Sequence, residues 1–252
     1  MLKKGRTKEK IVAVSGYFDP LLEKIKPYRP PRRTREILAY LFGVLKGDGH
    51  LRYRRKRSGE FCLNVKSKEF ALRVFEAFKL LGLEPRLYEK LEERKVFDKC
   101  MNKVYEYYLK YYKVEVTIPR DLAENLESFR LETMEEKRAF VAGFFQSEGH
   151  WRIRHRRERY YSKRKNKQVI YEKTSYELTI TNTNLGILEK IKQILKEFNV
   201  NMKIEAMKSR KKTCYRLVTY NHKNVSRFLQ IFGGKEIARR KKRKDRSRKR
   251  LF

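Results

Sequence analysis

The sequence predicts an α+β fold of two pseudo-symmetric αββαββα units. Three observations predict it: an internal repeat, a switch of hydrophobic period within each copy, and a stripe of small residues along one helix of each copy. Residues 35–54 read REILAYLFGVLKGDGHLRYR and residues 135–154 read EEKRAFVAGFFQSEGHWRIR. Gly43, Asp48, Gly49, His50, Arg52 and Arg54 recur as Gly143, Glu148, Gly149, His150, Arg152 and Arg154, each pair 100 residues apart (148 − 48 = 100). Self-similarity at a fixed offset marks copies of one supersecondary unit.

Each copy opens as a helix, because Ile37, Leu41, Val44 and Leu45 recur at helical spacing, as do Phe140, Phe144 and Phe145. Gly49 and Gly149 are expected to stop these helices in the left-handed conformation. The period then changes to two. His50, Arg52, Arg54 and Lys56 alternate with Leu51 and Tyr53, and His150, Arg152, Arg154 and Arg156 alternate with Trp151 and Ile153, giving each strand one basic face. A second strand follows in each half. In 61–67 Phe61, Leu63 and Val65 oppose Cys62, Asn64 and Lys66; in 176–182 Leu178 and Ile180 oppose Glu177, Thr179 and Thr181. Helices are then predicted at 68–81 and 185–198, strands near 86–92, 104–118, 202–208 and 214–220, and closing helices at 120–129 and 222–232. The stretch 156–173 reads as a long basic hairpin tip, longer than its counterpart near Arg57 and Ser58.

The expected organisation is a basic extension over 1–34, a first repeat over 35–130, a second over 131–235 and a basic tail over 236–252. With 65 Lys and Arg against 30 Asp and Glu, the formal charge of +35 makes nucleic acid the leading partner class. A ribosome-associated protein would share that charge. An aromatic content of 13% excludes a disordered basic chain without core residues. Cys62, Cys100 and Cys214 show no metal-ligand spacing and are odd in number, which fits structural thiols in a reducing interior. No window reaches the length of a membrane span, so an intracellular, cytoplasmic protein without membrane association is expected.

Small residues recur every fourth position in the repeated helices: Ala39, Gly43 and Gly47, then Ala139, Gly143 and Ser147. Such stripes let two backbones approach closely. If they pack on each other, the helix ends carry Asp48 and Glu148 into one site. An acid at a helix C-terminus opposes the macrodipole, and a second acid adds repulsion. A divalent cation relieves both, since Mg²⁺ favours one or two carboxylates with water and phosphate oxygens.

The segments LFGVLKGDG (41–49) and VAGFFQSEG (141–149) resemble the paired signature of the LAGLIDADG homing endonucleases, in the single-chain, two-repeat form. The resemblance extends from about Arg35 to Gly234. It implies two curved antiparallel sheets forming a DNA-binding saddle, packed through the motif helices. It also implies hydrolysis of both strands of double-stranded DNA, with Mg²⁺ or another divalent cation such as Mn²⁺ held by Asp48 and Glu148, and backbone carbonyls at Gly47 and Ser147 as secondary contacts. Lys46 and Gln146 stand where the family pattern has an earlier Asp, which is not the metal ligand. The family's basic or amide residue near each metal maps by position to Lys66 in the first half and Lys235 in the second. An archaeal, intron-encoded member is expected, and the abundance of Lys, Arg, Glu and Tyr fits a thermophile.

DNA contact is expected from His50, Arg52, Arg54, Lys56, Asn64 and Lys66 in the first half. In the second it is expected from His150, Arg152, Arg154, Arg156, Glu177, Thr179 and Thr181. Arginine on a β-ribbon can pair bidentately with guanine in the major groove. Similar but unequal halves imply a monomer on a long asymmetric or pseudo-palindromic target. The alternative is a maturase binding intron RNA; a non-catalytic DNA-binding regulator would have lost a motif acid. An intein is not expected, because neither the Cys or Ser nor the terminal His-Asn pair of inteins is present.

Overall fold

The computed structural model describes residues 33–55, 58–98, 103–162, 167–208 and 213–233. The first unit holds α1 (Thr34–Lys46), β1 (Gly49–Arg55), β2 (Ser58–Val65), α2 (Lys68–Leu80), β3 (Arg86–Asp98), β4 (Lys103–Pro119) and α3 (Arg120–Glu127). The second holds α4 (Met134–Glu148), β5 (Gly149–Ser162), β6 (Lys167–Asn182), α5 (Leu185–Glu197), β7 (Lys203–Lys208), β8 (Thr213–Thr219) and α6 (His222–Phe232). Both units therefore follow the predicted αββαββα order. Each makes one four-stranded antiparallel sheet, in order β1-β2-β4-β3 and β5-β6-β8-β7.

Period-two alternation decides which sheet face is buried. Phe61, Leu63, Val114, Val116, Leu178, Ile180 and Leu217 point inward under the helices, while His50, Arg52 and their register partners face the other way. One apolar cluster runs through both units and includes the buried faces of α1 and α4. Aromatic packing joins the units directly, with Phe42 of α1 against Phe140 of α4 at 5.2 Å between centroids. Among the described residues no helix is long and apolar enough to cross a membrane.

The middle helices are built alike. Ser67 caps α2 by accepting from the Phe70 amide, and Asn184 caps α5 by accepting from the Ile187 amide. Each ends in a left-handed residue, Gly82 at φ 76° and Asn199 at φ 56°. The Leu83 and Val200 amides then reach back to the Phe78 and Leu195 carbonyls, a Schellman closure. These matches lie 117 apart (184 − 67 = 117; 199 − 82 = 117), whereas the motif helices match at 100. The 17 extra residues lie in the β5–β6 hairpin.

The stretch 156–173 forms the expected long hairpin, with the β5–β6 ladder continuing to the Ser162 and Lys167 pair. One expectation needs correction: Gly49 and Gly149 do not stop their helices in a left-handed conformation. Gly149 has φ −81°, and neither is among the positive-φ glycines. Space is what excludes a side chain. A Cβ at Gly149 would overlap the Phe145 ring, and one at Gly49 would lie 3.0 Å from Leu45 Cα and the Phe61 ring.

Glu136 ties the two units together. It is 2% exposed, accepts from Arg35 Nε of α1 at 2.7 Å, and completes a capping box with Thr133. The Arg35 hydrogen bond holds its carboxyl below the ordinary range against the effect of burial, helped by the Glu132 and Thr133 amides. A depressed acid stabilises the fold above its unfolded pKa, and that contribution is lost as pH falls through the folded value. Glu136→Gln should therefore cost about 1–3 kcal/mol near pH 7. Melting curves should show the gap between variant and native protein closing as the pH drops below about 4.

Candidate active site and nucleic-acid face

The small-residue stripes fix how closely α1 and α4 approach. A Cβ on Gly43 would fall on the Phe140 carbonyl oxygen, and one on Gly143 would fall on the Tyr40 carbonyl oxygen. Backbone therefore packs on backbone. At the end of the stripes, a Cβ on Gly47 would meet the Ser147 side chain, 2.8 Å from Oγ, and lie 3.4 Å from Glu148 Cγ. The two motif ends thus meet at one place, carrying Asp48 just beyond α1 and Glu148 as the last residue of α4.

Asp48 is exposed and borders a concavity of about 360 Å³, together with Asn64, Lys66, Arg73, Gln146 and Ser147. Residues of the first strand pair, α2 and the second motif therefore share one hollow. Lys66 is exposed just past β2 and lines this hollow with Asp48. Glu148 is half-buried and its Oε1 accepts from Asn182 Nδ2 at 3.2 Å. Ser147 Oγ donates to the Gly143 carbonyl at 3.4 Å. Two helix C-termini and two carboxylates concentrate negative potential in a chain of formal charge +35.

Hard oxygen donors are what Mg²⁺, Mn²⁺ or Ca²⁺ accept, and the Asp48 and Glu148 carboxylates are of that kind. The donor set therefore fits a divalent cation. The departures from the motif pattern also have structural reasons. Gln146, 3% exposed, accepts from the Tyr40 hydroxyl at 2.8 Å, a polar bond between the motif helices. Lys46 is exposed with Nζ 5.2 Å from the Phe42 ring centre.

The strand faces divide the other expected residues. His50 is half-buried, Arg52, Asn64 and His150 are exposed, and Thr181 is half-buried. Burial, then Arg52 and Lys113, pushes the His50 pKa down, so its imidazole offers a neutral donor and acceptor near pH 7. Glu177 and Thr179 are buried instead. Glu177 is engaged by Arg152, Arg154 and Arg216, while Thr179 Oγ1 donates to the His150 carbonyl at 3.4 Å. Arg54 and Arg156 lie in β1 and β5, with their side chains outside the described set. Lys56 and Lys235 lie outside the described residues.

On the first sheet Glu60, Cys62 and Glu115 place ligand-type atoms within 4.8 Å of one another. Lys113 forms an ion pair with Glu115 there, so the protein supplies a cation of its own. Burial, followed by Glu60 and Glu115, pushes the Cys62 thiol up.

Sequence reasoning missed Asn182, Arg73 and Arg216. Asn182 occupies the place of Val65 (182 − 65 = 117), and Thr183 that of Lys66, so searching at an offset of 100 could not align them. The offset between the two N-caps was the signal that could have.

The family model for the LAGLIDADG-like domain matches residues 35–127 and 135–233. No curated protein sequence matches the chain. Among solved structures, full-length DUF199/WhiA from Thermatoga maritima is 18% identical, covering 82% of this chain and 58% of that one, with a TM-score of 0.52. I-DmoI in complex with DNA and Mn is 21% identical, covering 81% of this chain and 100% of that one, at a TM-score of 0.49. Mesophilic variants of the homing endonuclease I-DmoI are 21% identical over 80% of this chain and 98% of that one, also at 0.49.

Proposed function

The chain belongs to the LAGLIDADG family, and from that premise we propose that it is a site-specific endonuclease that hydrolyses both strands of duplex DNA with a divalent metal. The observation that supports this reading is the close approach of Gly47 to Ser147 and Glu148, at the ends of two motifs that both keep their acid. The repeats over 35–130 and 131–235 act together as a monomer on a long asymmetric target, each sheet addressing one half-site, with the basic segments 1–34 and 236–252 flanking them.

Asp48 and Glu148, with the Gly47 and Ser147 carbonyls, hold Mg²⁺ or a similar ion. Bound there, such an ion supplies water activation and neutralises charge on the phosphate in the transition state. Lys66 lines the same hollow as Asp48 and would donate to a scissile phosphate oxygen. Asn182 orients Glu148, leaving the second half without a lysine at the matching strand position; Lys235 is the candidate for that role. Arg52 and Arg152 face the groove, and the other Lys and Arg residues contact phosphates.

The test is selection of cleaved sites from a randomised duplex pool with Mg²⁺. One long site cut on both strands is the expected result. DNA left intact while an intron RNA is spliced would replace this reading with the maturase one. Binding to the selected duplex should also weaken about 10³- to 10⁵-fold between 50 and 200 mM salt, if six to ten phosphates are neutralised. Filter binding across that range measures the slope, and a flat line would contradict the basic-face interface.

A further inference from the structure

We propose that Glu177 is a positioning residue that holds Arg152 and Arg216 as a preformed fork for reading guanine in the half-site under the second sheet. This rests on the endonuclease reading above. A carboxylate in the middle of a face that meets a polyanion repels the phosphates it approaches. Its place is therefore accounted for by what it holds.

Glu177 is 9% exposed in β6, directly across from Arg152 of β5 in the ladder. Arg152 Nε donates to Glu177 Oε2 at 2.5 Å, with Nη2 on the same oxygen. Arg154 Nη2 stands 3.5 Å from Oε2, and Arg216 Nη1 stands 3.9 Å from Oε1. Arg216 is fixed again by Glu205, whose Oε2 accepts from Nη2 at 2.5 Å. Both oxygens of Glu177 thus face guanidinium groups, which leaves the acid poorly placed to accept from a cytosine amino group.

The same cross-strand pair occurs in the first sheet, where Arg52 stands opposite Glu60. The acids lie 117 apart (177 − 60 = 117), the offset of the downstream repeat. The repeat thus sets an arginine opposite a carboxylate at the same ladder position in both sheets, and in the second sheet the two are in contact. A free arginine must surrender rotamer entropy on docking, and a held one has surrendered part of it already. The planar fork matters because arginine pairs with guanine O6 and N7 together, which lysine cannot do.

The experiment repeats the cleavage selection from a randomised duplex pool with Mg²⁺ for the native protein, Glu177→Gln, Glu177→Asp and Arg152→Lys. The native protein is expected to require guanine at one or more positions on the second-sheet side. Glu177→Gln and Arg152→Lys should relax the same guanine preference by about 10- to 100-fold, with preferences in the other half-site unchanged. Glu177→Asp should retain part of it. A cytosine preference lost in Glu177→Gln but kept in Arg152→Lys would overturn the proposal in favour of direct contact. Unchanged preferences, or an equal loss at every position, would also overturn it. If Glu177→Gln does not fold, Glu177→Asp decides: partial relaxation at the guanine positions that Arg152→Lys also relaxes supports the proposal, and an unchanged preference overturns it. A native protein that selects no site contradicts the endonuclease reading, whereas a native site with unaltered variants contradicts only the role of Glu177.

Discussion

Asp48→Asn should reduce double-strand cleavage of the selected target by about 10³-fold or more, and Glu148→Gln should do the same. A 10³-fold loss corresponds to about 4 kcal/mol of transition-state stabilisation. Both changes keep the shape of the side chain and remove its charge. Asn64, Lys66 and Arg73 surround Asp48 from the first unit, and Gln146 and Ser147 approach from the second. The loss therefore falls on a site to which both repeats contribute. Duplex binding without metal should be unchanged or tighter, because a negative charge has left the DNA side of a site bordered by Lys66. Gel-shift assays beside cleavage assays separate the two effects. A variant that cuts both strands at the native rate would remove its acid from the mechanism.

Gly143→Val should destabilise the protein by about 3–5 kcal/mol, lowering the melting temperature by roughly 10–15 °C for a chain of this size. Overpacking is usually milder because side chains rotate away. Here the obstacle is the Tyr40 carbonyl oxygen, part of the backbone of α1, which cannot rotate away alone. Gly43→Val meets the Phe140 carbonyl in the same way. Separating the helices would also strain the Tyr40–Gln146 bond and part the motif ends. Gly186→Ala is the matched control, since its Cβ would meet only Asn184 Oδ1 at 3.5 Å. Calorimetry of the three variants should show the two motif glycines far below the control.

Much of this was legible because two strong periodic signals coincide. Ile37, Leu41 and Val44 give the helix, His50 and Arg52 give the strand, and the copy at an offset of 100 fixes the boundary between them. The small-residue stripes foretold the approach of α1 and α4 because only side-chain size matters at a backbone contact. The failures have physical causes too. Gly49 and Gly149 looked like helix stops, yet their lack of a side chain answers crowding from Leu45, Phe61 and Phe145, which are near only in the folded chain. Asn182 escaped notice because the longer hairpin changes the offset from 100 to 117. Glu177 read as an exposed polar position, and its burial depends on arginines from two other strands.

On the endonuclease reading, Asp48 and Glu148 form one composite metal site at the meeting of the motif helices. The most direct measurement is the anomalous signal of Mn²⁺ in crystals of the protein bound to its selected duplex. Peaks within about 2.5 Å of both carboxylates, beside the scissile phosphates, are the expected result. Manganese held elsewhere, as at Glu60 and Glu115, with none at Asp48 or Glu148, would contradict it.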